Sequence, residues 1–171
     1  MDLRIVKTKK AIRDAFIELR RVTPLEKIKV RDLCRTALIN KSTFYNHYDD
    51  VFALSEEIEN GILEQCMNDF EYKDCLLNDP MRFLSNVPMV LEKQEPLISV
   101  LFAERQDVLF RKLQKQLRRY YSNPEMTVEE DVQLTFVIGG MMYAMQELMS
   151  EGKYTEKEVT AYTVKVIEKL Q

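Results

Sequence analysis

"IKVRDLCRTALINKSTFYNHYDDVFAL", residues 28 to 54, holds two short helical patterns separated by only a few residues. Val30, Leu33, Cys34 and Ala37 recur at helical spacing, which predicts a short helix from about Val30 to Thr36 or Ala37 that buries this set. After "LIN", Asn40 is suited to cap the next helix, because its side-chain oxygen can accept from a backbone amide that the first turn leaves without a partner. That third helix is expected from about Lys41 to His47, with Leu38 and Ile39 packing the turn into the core. Phe44, one turn after Lys41, then closes a small three-helix core with Val30 and Ile39. Lys41, Ser42, Thr43, Asn46 and His47 remain largely outside as short polar or basic groups. Two helices so spaced make a helix-turn-helix. In DNA-binding examples the second helix enters the major groove, where such groups reach base edges and phosphates and a tyrosine hydroxyl can reach phosphate.

Upstream, Ile5, Ile12, Ala15, Phe16 and Leu19 form one stripe of a first helix over about residues 3 to 21. Lys9, Lys10, Arg13 and Arg20 stand elsewhere around it, and Thr23-Pro24 ends it. Charge divides the chain unevenly. Residues 1 to 48 hold twelve Lys/Arg against five Asp/Glu, a balance of plus 7, whereas the remainder carries minus 10 within an overall net charge of minus 3. A basic segment on an acidic remainder fits a polyanion partner for the first part, since phosphate neutralisation releases counterions and dominates nucleic-acid affinity. Basic residues that simply solvate helix faces would give the same balance, so charge alone does not choose.

The chain has 171 residues, 46% of them apolar and 31% charged, which is enough for one ordinary core or two small cooperating ones. Four glycines, five prolines and no strand-like alternation point to an all-α fold. No apolar run reaches eighteen residues and the start "MDLRIVKTKKAIRD" is too charged for a signal peptide, so a soluble, cytoplasmic protein is expected. Cys34, Cys66 and Cys75 form no CxxC pair and are expected as buried free thiols.

On these residues the segment 28–54 resembles the DNA-binding part of the TetR/AcrR family of bacterial transcriptional regulators. The resemblance runs over residues 5 to 60, about a third of the chain, and is carried by Val30, Ala37, Lys41, Thr43, Phe44, Tyr45 and His47-Tyr48. It implies an N-terminal helix-turn-helix domain at residues 1–50, with the motif at 28–48. A C-terminal helical domain for effector response and dimerisation follows at 51–171, about nine helices in all. It further implies a homodimer on palindromic double-stranded operator DNA. Lys41, Ser42, Thr43, Tyr45, Asn46, His47 and Tyr48 are then the candidate DNA contacts, with Thr8, Lys29 and Arg31 as phosphate partners and Phe44 kept for the core. Tyr45 and Tyr48 have a second reading, packing between the third and fourth helices. Two positions depart from the family pattern. Leu38 occupies a turn position usually given to glycine and would need a left-handed backbone or a different turn. Val51 stands where many members place a lysine for a phosphate contact, and Asp50 is expected to cap the fourth helix instead.

A long fourth helix is expected from Val51 to near Tyr72, then "KDCLLNDP" as a loop and a helix from Pro80 interrupted or bent by Pro88. Pro96 opens another helix, and Gln106 to Tyr121 carries Arg111, Lys112, Lys115, Arg118 and Arg119, either a solvated face or one that pairs with another chain's acidic parts. Capping boxes at Thr127/Glu130 and Thr155/Glu158 start the last two helices, about 127–150 and 155–170, with a stop at Gly152 between them. Gly139 and Gly140 inside the first of these predict a close helix approach. By resemblance this pair is the dimerisation hairpin. Met141, Met142, Met145 and Met149 are read as core, with an adaptable ligand pocket as the alternative.

No enzyme motif is present: there is no phosphate loop, nucleophile elbow, HExxH or paired carboxylates. A single histidine without ligand partners at useful spacing argues against a metal site, and no cofactor is expected. The resemblance implies a small-molecule effector that weakens DNA binding, hence a repressor. Some relatives with compact C-terminal regions instead answer to a protein partner or activate, and a helical adaptor or co-activator of the same fold is the competing function.

Overall fold

A computed structural model describes residues 3–150 and 152–170, the side chains of Met149 and Ser150 apart, so the Met149 part of the methionine stripe lies outside the described residues. Among the described residues the chain is all-helical. Nine α-helices run in order: α1 Leu3–Arg20, α2 Val30–Thr36, α3 Lys41–Tyr45, α4 Val51–Asp69, α5 Pro80–Glu92, α6 Glu95–Phe102, α7 Gln106–Tyr121, α8 Val128–Ser150 and α9 Glu156–Lys169. Short 3₁₀ turns occur at Leu25–Lys27 and Lys73–Cys75. No helix is long and apolar enough to cross a membrane among the described residues.

Two compact units divide the chain. One runs to Ile62 and takes in Glu95–Ala103; the other comprises Leu63–Gln94 and the chain from Glu104 onward. In the first, Ile12, Phe16, Leu33, Phe44 and Leu54 are fully buried together with Leu101 of α6. α6 joins this core through buried Leu101 and Phe102, a contact with α1 that the periodicity of either helix alone does not assign.

Several expectations meet corrections here. Arg20 is buried, not on an outer face: its guanidinium donates to the carbonyls of Thr23 and Leu101, each at 3.0 Å, and so ties the end of α1 to the end of α6. A charged group tolerates such burial because carbonyls at helix ends lack helical donors. Ile5 is 45% exposed because residues 3–7 are exposed on every side and the first turns of α1 lie off the packed core. Val30 and Ala37 are half-buried. Leu38, expected inside, is 92% exposed. Its φ of +54° is the left-handed turn, and that turn swings the side chain into solvent while Ile39 stays half-buried. α3 stops at Tyr45 rather than His47, and α4 at Asp69 rather than near Tyr72.

In the second unit α5 continues through Pro88 without a break. What the proline removes is one amide donor, so the Leu84 carbonyl loses its helical partner. Asp79 caps α5, accepting from the Arg82 amide at 3.0 Å. Both capping boxes form, with Thr127 and Thr155 hydroxyls accepting from the Glu130 and Glu158 amides at 3.3 Å. Gly152 takes the left-handed backbone, φ +63°, in the turn between α8 and α9. The glycines of α8 are not explained by a close approach within the chain. A Cβ at Gly139 would only touch Gln114 Nε2 at 3.6 Å, and one at Gly140 would meet open space. On α7, Arg111 pairs with Asp107 at 3.0 Å, Arg118 with Asp131, and Arg119 with Glu64 at 3.9 Å, so much of the second basic cluster is matched within its own chain.

Candidate nucleic-acid interface

The short helix α3 is organised by its cap. Asn40 Oδ1 accepts from the Thr43 amide at 2.8 Å, from Ser42 Oγ at 2.7 Å and from Thr43 Oγ1 at 2.8 Å. A five-residue helix has little stability of its own, so this cap and burial of Phe44 hold it in place. Both hydroxyls donate their protons to Asn40, so each oxygen keeps lone pairs with which it can accept. Lys41, Ser42, Tyr45 and Asn46 are exposed, and Thr43 and His47 half-buried. The arrangement brings cationic, hydroxyl, phenol and amide groups onto one short surface beside a fixed core residue. Such a surface can donate to and accept from base edges and phosphates.

Tyr45 and Tyr48 have different surroundings. Tyr45 is 54% exposed, its ring edge-on to Phe44 at 5.5 Å. Tyr48 is 6% exposed, and its hydroxyl donates to Glu57 Oε1 at 2.8 Å. Glu57 Oε2 in turn accepts from Lys9 Nζ at 2.9 Å, and the same ammonium lies 5.2 Å from the Tyr48 ring centroid. Its one proton and its ring are committed to α4 and α1, an arrangement that favours the packing alternative for Tyr48 over a phosphate contact. Burial would raise the Glu57 carboxyl, but hydrogen bonds from Lys9 and Tyr48 and the charges of Lys9 and Arg13 outweigh it and hold the group below its usual range. Burial, then the bond to Glu57 and its charge, push the Tyr48 phenol up, so it stays a donor.

Of the remaining candidates, Thr8 is half-buried and Lys29 exposed, immediately before α2. Arg31 is exposed and lies 3.5 Å from Asp32, which also meets Arg35 at 3.3 Å. Asp50 caps α4, accepting from the Ala53 amide at 2.8 Å, and Val51 is buried. Lys9 and Glu57 were missed by sequence reasoning; 48 positions separate them, and no local pattern pairs them. Among the described residues no group of three or more His, Cys, Asp or Glu could hold a metal ion. Cys34 and Cys66 are buried free thiols as expected, while Cys75 is only half-buried.

Compared by sequence, the chain matches no family model and no curated protein. By structure it is similar to a TetR transcriptional regulator from Rhodococcus sp. RHA1, with a TM-score of 0.50 over 99% of this chain and 97% of that one, at 14% identity. The chain has a TetR-type fold. In that fold the capped α3 with its buried Phe44 is the second helix of the helix-turn-helix, and α2 the first. The likeness at 14% identity concerns the fold, so the roles of individual side chains rest on the geometry given above.

Proposed function

We propose that this protein is a TetR-type transcriptional regulator that binds operator DNA as a homodimer and is released by an effector acting on residues 51–171, with residues 1–50 as the DNA-binding part. One observation carries the reading: α3 presents Lys41, Ser42, Tyr45 and Asn46 to solvent while Asn40 and Phe44 hold it rigidly. Thr43 and His47 complete the reading face at half-exposure, and Thr8, Lys29 and Arg31 are the phosphate partners. Tyr48 enters as a residue that positions this face. A cytoplasmic, non-enzymatic protein follows from the same reading.

An exposed apolar stripe supports the dimer. Val128, Val132 and Phe136 recur every four residues on α8, and Tyr162 and Val166 do the same on α9, followed by Leu170 just past its end. Phe136 and Tyr162 are 68% and 67% exposed, and they line one groove with Gly140, where a Cβ would meet open space. Such a face calls for a partner. A two-fold pair would join two such hairpins and set two reading helices for two half-sites.

The test is fluorescence anisotropy with DNA from upstream of the protein's own gene and its neighbours, across a salt series. Specific binding should weaken steeply with salt. Tyr45→Ala and Asn46→Ala should each cost about 1–3 kcal/mol on the specific fragment, whereas Lys29→Ala should weaken all fragments alike and lower the salt slope by about one. Salt-insensitive or absent binding to every fragment would sink the proposal. The adaptor reading draws on one observation: exposed Asp49 and Asp50 beside a buried Val51 put negative charge where the family often has a lysine. It predicts no DNA complex at any salt.

A further inference from the structure

The second unit holds a cavity of about 330 Å³ between α4, α5, α7 and α8, with the first residue of α9 at its edge. Its wall includes the Phe70 and Phe83 rings, 4.9 Å apart, and Met141, Met142 and Met145. Three methionines of the stripe thus face the cavity, and thioether side chains let such a wall adapt to its contents. Of the described lining residues Glu156 alone is charged, and it is exposed. Leu84 and Pro88 also line the cavity. Cys66, held neutral by burial, is only a weak donor. Among the described lining residues no side chain is a strong hydrogen-bond donor. An anion placed there would lose its hydration without gaining a strong donor, and would face the Glu156 carboxylate.

We infer that this cavity binds a compact hydrophobic molecule bearing a single cationic amine, with the apolar body among the methionines and phenylalanines and the ammonium at Glu156. The regulatory meaning of such binding rests on the proposed function; the binding itself does not. The volume suits a ligand of one or two fused rings rather than a long lipid.

Three rigid probes of matched shape decide it: 1-naphthylmethylamine, 1-naphthalenemethanol and 1-naphthoate, titrated into the full-length protein by calorimetry without DNA. The amine should bind tightest, the alcohol next, and the carboxylate about tenfold or more below the amine. Glu156→Gln should weaken the amine about three- to fivefold, the range of an exposed ion pair, and leave the alcohol unchanged. Val87→Trp, which fills the cavity, should weaken all three. Carboxylate binding equal to or tighter than the amine would overturn the inference, as would no binding of any probe, or amine binding indifferent to both substitutions. Because DNA is absent, a protein that binds the amine but no operator loses only the regulator reading, and one that binds operator but no probe loses only this one.

Discussion

Leu38 holds a left-handed backbone, φ +54°, with its side chain 92% in solvent. An L-residue with a Cβ at such a φ costs roughly 1–2 kcal/mol, and the exposed side chain returns almost no burial to offset it. Glycine takes the conformation without that penalty, although it loses more freedom on folding. Leu38→Gly should therefore stabilise the protein by about 0.5–1 kcal/mol, seen as a higher urea midpoint at unchanged slope. An unchanged or lower midpoint would mean that the turn is not strained. The residue scale also shows what a single side chain can and cannot announce. Asn40 and Asp50 reveal their capping roles through their neighbours three positions on, whereas Leu38 reads as a core leucine by its spacing and as a left-handed residue only through the family position it occupies.

Among elements, the Lys9–Glu57–Tyr48 network links α1, the end of the α3 segment and α4. Each of its bonds is worth little alone, since Glu57 and Lys9 are both about half-exposed and screened by solvent. Glu57→Gln should cost about 0.5–1 kcal/mol at neutral pH. The sign follows from the lowered carboxyl of the folded state: its contribution is present above the ordinary value of 4.5 and is lost as pH falls through the lower folded value. The gap between wild type and Glu57→Gln should narrow on acidification, measured by denaturation from pH 7 to below 4.5. Tyr48→Phe should show the opposite dependence. The raised phenol stabilises fully below its ordinary value of 10.0, and that contribution is lost as pH rises beyond it, so the two proteins should converge in alkali. A gap constant across both ranges would remove the network from the account of stability. If these contacts hold the reading face in register, Tyr48→Phe should also weaken operator binding without changing which fragment is preferred.

For the whole molecule the decisive surface is the α8–α9 stripe. Phe136→Glu should leave the chain folded, because the side chain is two-thirds exposed, and should shift the solution mass toward one chain. Operator affinity should fall with it, since each single head reads only a half-site. A wild-type mass of one chain at micromolar concentration, by analytical ultracentrifugation, would count decisively against the dimer.

By itself the sequence determined the helical class, the helix-turn-helix with its Asn40 cap and Phe44 core, the Asp50 cap, and both capping boxes. These depend on residues within one or two turns of each other, so spacing carries them. Only the tertiary structure decided that Arg20 reaches across 81 positions to Leu101, that Lys9 and Tyr48 converge on Glu57, and that three methionines of α8 open onto a largely apolar cavity. Helical periodicity says which face of an element is apolar. It does not say which distant element that face will meet, and these contacts are made by packing between helices far apart in the chain.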